Sequence, residues 1–218
     1  MTDKCSVLGL SCSIECDRPP CKSRLAGLSG TTGTAVILFG MLVSALSYPG
    51  FDFGISISQL GSTAASPRSD VFNACLVAGG LITAFFPAMF GGATRSRALA
   101  ICLAAAGFAA GFGAVLDGLI PVDIDSTAHG VAAGIAFAGI AVTTAVMAVI
   151  IFQNDSKSIP VAFGFISLAQ LAFFTLCIAI YFAAKAGLIA AAVFPIIEWA
   201  SVLLSLASVL GMSIYELT

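Results

Sequence analysis

Apolar residues gather into six runs along the chain: Thr32 to Tyr48, Phe72 to Phe90, Ala98 to Ile120, Ala128 to Phe152, Ile159 to Ala184 and Gly187 to Ile214. Each is close to the ~20 residues a helix needs to cross hydrocarbon, so the pattern predicts transmembrane helices. Turn chemistry separates the runs, at Pro49-Gly50, Gly91-Gly92, Pro121, the Gln153-Asn154-Asp155-Ser156 stretch and Lys185. Only about two residues divide the fifth run from the sixth, which predicts a tight hairpin there. The expected architecture is all-α: a polytopic membrane bundle of six transmembrane helices in one domain over residues 25–218, behind a polar tail over 1–24.

Composition agrees with the pattern. Of 218 residues 59% are hydrophobic and 9% charged, and the mean hydropathy of +1.08 is that of an integral membrane protein. A net charge of -2 excludes nucleic acid as a partner, and a single histidine excludes a three-histidine zinc site within the chain. Neither Gly-x-x-x-x-Gly-Lys nor Gly-x-Gly-x-x-Gly occurs to cradle phosphate, and no cofactor or metal is implied. Lys4, Arg18, Lys22, Arg24, Arg95, Arg97 and Lys157 fall on one side of the alternating spans, against Arg68 and Lys185 on the other. Basic loops stay cytoplasmic, so the split predicts a multi-pass protein of the cell membrane with both termini cytoplasmic and Asp52, Asp123 and Asp125 facing outward. No small-residue cleavage site follows the tail, so a cleaved signal peptide is not expected.

Cys5, Cys12, Cys16 and Cys21 lie in the tail without the paired Cys-x2-Cys spacing of zinc knuckles; free or lipid-modified thiols fit a reducing compartment, with a metal site as the alternative. Cys75, Cys102 and Cys177, inside apolar runs, read as small core hydrophobes. Small residues four apart let helices approach in lipid, and Gly107-x-x-x-Gly111 and Gly130-x-x-x-Gly134 predict a close contact between spans three and four. Span three is so rich in alanine and glycine that a central position is expected for it. Pro160 opens span five harmlessly, whereas Pro195 inside the last run should break or kink it. The two halves of the chain share no motif, which speaks against an inverted-repeat transporter.

Polar residues within spans carry the functional expectations. The 16 residues from Trp199 to Ile214 rise ~24 Å, so Glu198 falls near the outer boundary, beside a tryptophan that favours the interface. Asp117 ends span three at the same level, and His129 opens span four. Ser126 or Thr127 suits the cap of that helix, with Asp123 and Asp125 near its positive end; were Asp125 helical, it would face His129 at four residues. In the first outer loop Ser69 or Asp70 would cap span two. Asn73, one turn inside, needs a partner, which the loop backbone or the hairpin between spans three and four can supply. Gln170, mid-span in helix five, is expected to bond across helices.

The order of motifs Ile57-Ser58-x-Leu60-Gly61, Pro67, Phe72-Asn73 with Gly79-Gly80, Gly118-x-x-Pro121-x-Asp123 and His129-Gly130 followed by Ala132-Ala133 resembles the domain of unknown function 998 family of six-span prokaryotic membrane proteins. More distantly it is similar to the Frag1/DRAM/Sfk1 group, with Gln59 where that group would carry an acidic residue. The resemblance runs from Leu25 onward and implies a six-span fold; the nearer family implies no reaction, and the distant group implies a connection with membrane lipids. The leading expectation is an outward-facing polar pocket of Ser58, Asn73, Asp117, Asp123, His129 and Glu198 that binds or senses a lipid headgroup. A small-solute or proton-coupled transporter and a non-catalytic assembly protein are the alternatives. Membrane lipids are the expected partner, with a second copy of the chain or another membrane protein as further classes. No activated nucleophile is identifiable, since Ser58 has no evident base, so catalysis is not the leading reading.

Overall fold

The computed structural model describes residues 6–7, 10–11, 24–91, 94, 96–153, 159–190 and 193–218. The tail cysteines and the basic residues Lys4, Arg18, Lys22, Arg95 and Lys157 lie outside them. Apart from a two-residue antiparallel pairing of Ser6–Val7 with Leu10–Ser11, the regular structure described is helical. Six segments are long and apolar enough to span a membrane: Arg24–Ser47 (α1), Ser69–Phe90, Arg97–Leu119 (α4), Ser126–Phe152 (α5), Val161–Lys185 (α6) and Val193–Leu217 (α7). The chain is a multi-pass membrane protein.

The second span is two helices, α2 (Ser69–Thr83) and α3 (Phe85–Phe90), divided at Ala84. Pro87 explains the division, because it offers no amide to the carbonyl four residues back, at Thr83, and its ring crowds that carbonyl. Helix α1 begins two turns before its apolar run, at Arg24. That stretch is glycine- and serine-rich, yet it is packed: a Cβ at Gly27 would come within 2.7 Å of the Ser213 carbonyl oxygen on α7.

At the other end, the expected two-residue hairpin between α6 and α7 is a longer connection. Gly187 takes a left-handed φ of 71°. Leu188 N–H donates to Ala183 O at 2.9 Å and Gly187 N–H to Ala184 O at 3.0 Å, the pattern by which glycine closes a helix C-terminus. Helix α7 therefore starts at Val193 and runs unbroken to Leu217. Pro195 does not kink it: in the first turn its missing amide would have had no intrahelical acceptor.

The helices form a ring in chain order. Each packs against its sequence neighbours, and α7 closes the ring on α1. Because lipid tails are as apolar as the helix faces, tightness of packing decides association. Glycine provides it at successive seams. A Cβ at Gly79 would lie 2.9 Å from Gly33 O, and one at Gly80 3.0 Å from Gly111 O. Between α4 and α5, a Cβ at Gly113 would lie 2.7 Å from Ala136 Cα and one at Gly139 2.7 Å from Ala110 Cα.

Three expectations about packing are corrected here. Gly130 and Gly134 are exposed and a Cβ on either meets nothing within 4 Å, so they face outward; Gly113 and Gly139 make the α4–α5 seam. Gly107 and Gly111 pack on the second span instead, against Pro87 and Ala84. Helix α4 is a ring member, not a hub, and turns Ile101, Phe108 and Phe112 outward. Cys102 is exposed on that same outer surface, whereas Cys177 is buried and Cys75 half-buried.

Two apolar clusters fill the interior. One, with Met41, Leu60, Phe72 and Trp199, lies at the end that carries the 48–68 loop. The other, with Phe86, Phe90, Leu103, Ile150 and Met212, lies at the opposite end.

Candidate functional site at the loop face

The loop over residues 48–68 is fixed rather than free. It begins in a Tyr48-Pro49-Gly50-Phe51 turn in which Phe51 N–H donates to Tyr48 O at 3.2 Å. Gly50 supplies the φ of 66° that a type II turn requires at its third position. Phe51 and Phe53 then stand edge-on to Trp199, with centroids 5.7 and 5.5 Å away. Trp199 Nε1–H donates to Ile55 O at 2.8 Å. Glu198 Oε2 accepts from Ile57 N–H at 3.1 Å. A short 3-10 helix, Ile57–Gly61, follows, and Asn73 Nδ2 donates to Gly61 O at 3.0 Å. Asn73 thus ties the loop to α2, using the loop backbone expected of it. Ser44 Oγ–H donates to Arg68 O at 2.8 Å. Arg68 is the N-cap of α2, without a side-chain cap, so neither Ser69 nor Asp70 caps that helix.

Asp123 closes the loop from the other side. Its carboxylate accepts from Thr63 Oγ1–H at 2.6 Å, Thr63 N–H at 3.0 Å and Ala64 N–H at 3.0 Å. The Thr63 hydroxyl above all, with these amides, holds the Asp123 carboxyl down at about 2. It is an exposed clasp at the rim, with both carboxylate oxygens engaged by the loop. Ser58 stands in the same loop, its Oγ 3.1 Å from Ser56 Oγ.

Beneath this roof Asp117 and His129 meet. Asp125 is the N-cap of α5, accepting from Thr127 and Ala128 N–H at 3.0 and 2.9 Å, so it is not helical and does not pair with His129. His129 turns instead to the end of α4. Its Nδ1 is 2.8 Å from Ile120 O and 3.2 Å from Asp117 Oδ1. A carbonyl can only accept, so Nδ1 is protonated and donates to Ile120 O. The contact to Asp117 is then electrostatic, and Asp117 Oδ1 is buried without a hydrogen-bond donor among the described residues. Glu198 is close enough for its charge to act on Asp117, and it is also close to the Cys177 thiol on α6. It is 7% exposed, so it is not a wet interfacial carboxylate.

Of the six residues expected to share a pocket, Asp117 and His129 touch, and Glu198, bonded to the Ile57 amide, acts on Asp117 through its charge alone. Asn73 and Asp123 hold the loop above, and Ser58 belongs to the loop itself. Among the described residues no group of three or more His, Cys, Asp and Glu side chains is arranged to hold a metal ion. Two features escaped the sequence reading. The backbone amide of Ile57 is the partner of Glu198, and Ile120 O orients the histidine. Neither has a sequence signal, because both are main-chain groups positioned by the loop. Comparison with protein-family models, with curated proteins and with solved structures returns no match to the chain.

Proposed function

We propose that this protein sits in the cell membrane with both termini cytoplasmic and its loop face outward, and that the Asp117, His129 and Glu198 site binds the amine of a lipid headgroup. The carrying observation is Asp117 Oδ1, an acceptor buried with no donor among the described residues, beside a histidine whose Nδ1 proton is directed to Ile120 O. A buried carboxylate oxygen without a donor is costly, and an ammonium group supplies both a hydrogen bond and an opposite charge. Glu198 adds a second acidic group, which repels a phosphate or a free carboxylate. Asp117 lies two residues before the end of α4, the depth at which headgroups meet hydrocarbon. The role proposed is recognition, not turnover. Kinship with the domain of unknown function 998 family, resting on the motif order, belongs to the same proposal.

The test is native mass spectrometry of the full chain released from nanodiscs of mixed phosphatidylethanolamine and phosphatidylglycerol. Retained ethanolamine lipid, lost in Asp117→Asn and weakened in Glu198→Gln, supports the reading. Equal retention of both lipids by the wild type, or unchanged preference in Asp117→Asn, rejects it.

A further inference from the structure

Between the two apolar clusters the ring lines a partly open cavity of about 120 Å³. Every span contributes to its wall: Ile37, Thr83, Gly111, Thr143, Gln170 and Ser205, from α1, α2, α4, α5, α6 and α7 respectively. Each of these lies within four residues of the middle of its span, so the cavity sits at mid-membrane. Asp117, His129 and Glu198 are not part of its lining. Phe86, Met147 and Met212 close it from one cluster and Leu206 from the other.

The wall is chiefly apolar, but it carries polar groups at the depth where they cost most. Thr83, Thr144 and Ser205 turn their hydroxyls back to carbonyls of their own helices, at Gly79, Ile140 and Ser201. Thr143 Oγ1 is buried with no partner among the described residues. Ser167 and Gln170 line the cavity on α6, 2% and 4% exposed. Sequence alone suggested that Gln170 bonds across helices; the structure sets it in the cavity wall. The unpartnered Thr143 hydroxyl carries a desolvation penalty that an apolar residue of the same size would avoid. Among the described residues no charged side chain lines the cavity, so an ionic ligand would be desolvated without a counter-charge.

We propose that this cavity is a second ligand site, independent of the loop face, for a small neutral molecule with an apolar body and one hydrogen-bonding group. An apolar cavity of ~150 Å³ accepts benzene. The volume here therefore suits a ligand of about that size, with its polar group at Thr143, Ser167 and Gln170. A phenol is the simplest probe of this class. Water alone would leave most of the apolar wall unsatisfied.

The experiment is ligand-observed fluorine NMR on the full chain in nanodiscs, comparing a fluorophenol with fluorobenzene and taking protein-free nanodiscs as the baseline for partition into lipid. The expected result is saturable fluorophenol binding at one site per chain, tighter than fluorobenzene by about fivefold, the net worth of one hydrogen bond. Gln170→Leu should bring that ratio close to one, and the isosteric Thr143→Val should lower it if the larger change does not fold. Ser205→Leu fills the space and should abolish binding of both probes. Signals identical to protein-free nanodiscs overturn the proposal. So does saturable binding whose preference survives both polar substitutions, or binding that persists in folded Ser205→Leu.

Discussion

Two glycines five residues apart on α5 should respond to the same substitution with opposite sign. A Cβ at Gly139 would lie 2.7 Å from Ala110 Cα and 2.8 Å from Ala106 O, backbone atoms that no rotamer change can move aside. Gly139→Ala must therefore push α4 and α5 apart along their shared seam. Overpacking of this kind costs about 1–3 kcal/mol, and separation also forfeits dispersion contacts along the helices. A Cβ at Gly134 meets nothing within 4 Å. Gly134→Ala only removes freedom from the unfolded chain, a gain of about 0.4–1 kcal/mol. The two variants should differ by about 1.4–4 kcal/mol, the sum of those two ranges. At roughly 2–4 °C per kcal/mol for a chain of this size, Tm values measured in one detergent should separate by ~3–16 °C, with wild type between them. A Gly139→Ala protein as stable as wild type would refute the ring geometry, as would a Gly134→Ala protein that loses stability.

Other consequences concern the loop face and the α6–α7 connection. Asn73→Leu removes the donor to Gly61 O and should cost about 1–3 kcal/mol for the stranded carbonyl, seen as faster amide exchange across residues 57–64; unchanged exchange there would show that Asn73 does not tie the loop. The clasp formed by Asp123 follows acid–base linkage. Its folded-state carboxyl is held at about 2, below the unfolded value near ~3.9, so its stabilisation is present above about pH 4 and is lost as pH falls toward 2. Protection of the Thr63 and Ala64 amides should fade over that window, and Asp123→Ala should lack the transition. Gly187→Ala forces a side chain into a left-handed φ of 71° and should lower stability by about 1–2 kcal/mol in thermal unfolding.

Much of the fold was legible because hydrocarbon imposes a length on any helix that crosses it. The misplaced boundaries share one cause: hydropathy marks apolar residues, not helical ones. The first turns of α1 were missed because glycine and serine there pack against α7, and Gly187 was placed inside a span although it ends one. At the loop face, the motif residues proved to be stitches. Asn73 reaches Gly61, Asp123 clasps Thr63 and Ala64, and a Cβ at Gly118 would lie 2.7 Å from Asn73 O. The carboxylate that meets His129 was not legible. Asp125 has the favourable four-residue spacing, but as a cap it is committed to the helix amides, and Asp117 arrives from another helix through the 120–125 turn. The choice of packing glycines was equally hidden, since both Gly-x-x-x-Gly pairs satisfy the pattern and only the lateral position of a helix decides which face is covered.

The most direct test of the headgroup proposal is a solid-state NMR contact between nitrogen-labelled ethanolamine lipid and the side-chain carboxyl carbon of Asp117. The account predicts a dipolar coupling corresponding to about 4 Å or less, absent in Asp117→Asn and weakened in Glu198→Gln. A wild-type protein with no such coupling, its Asp117 resonance indifferent to whether the membrane contains ethanolamine or glycerol headgroups, would contradict it.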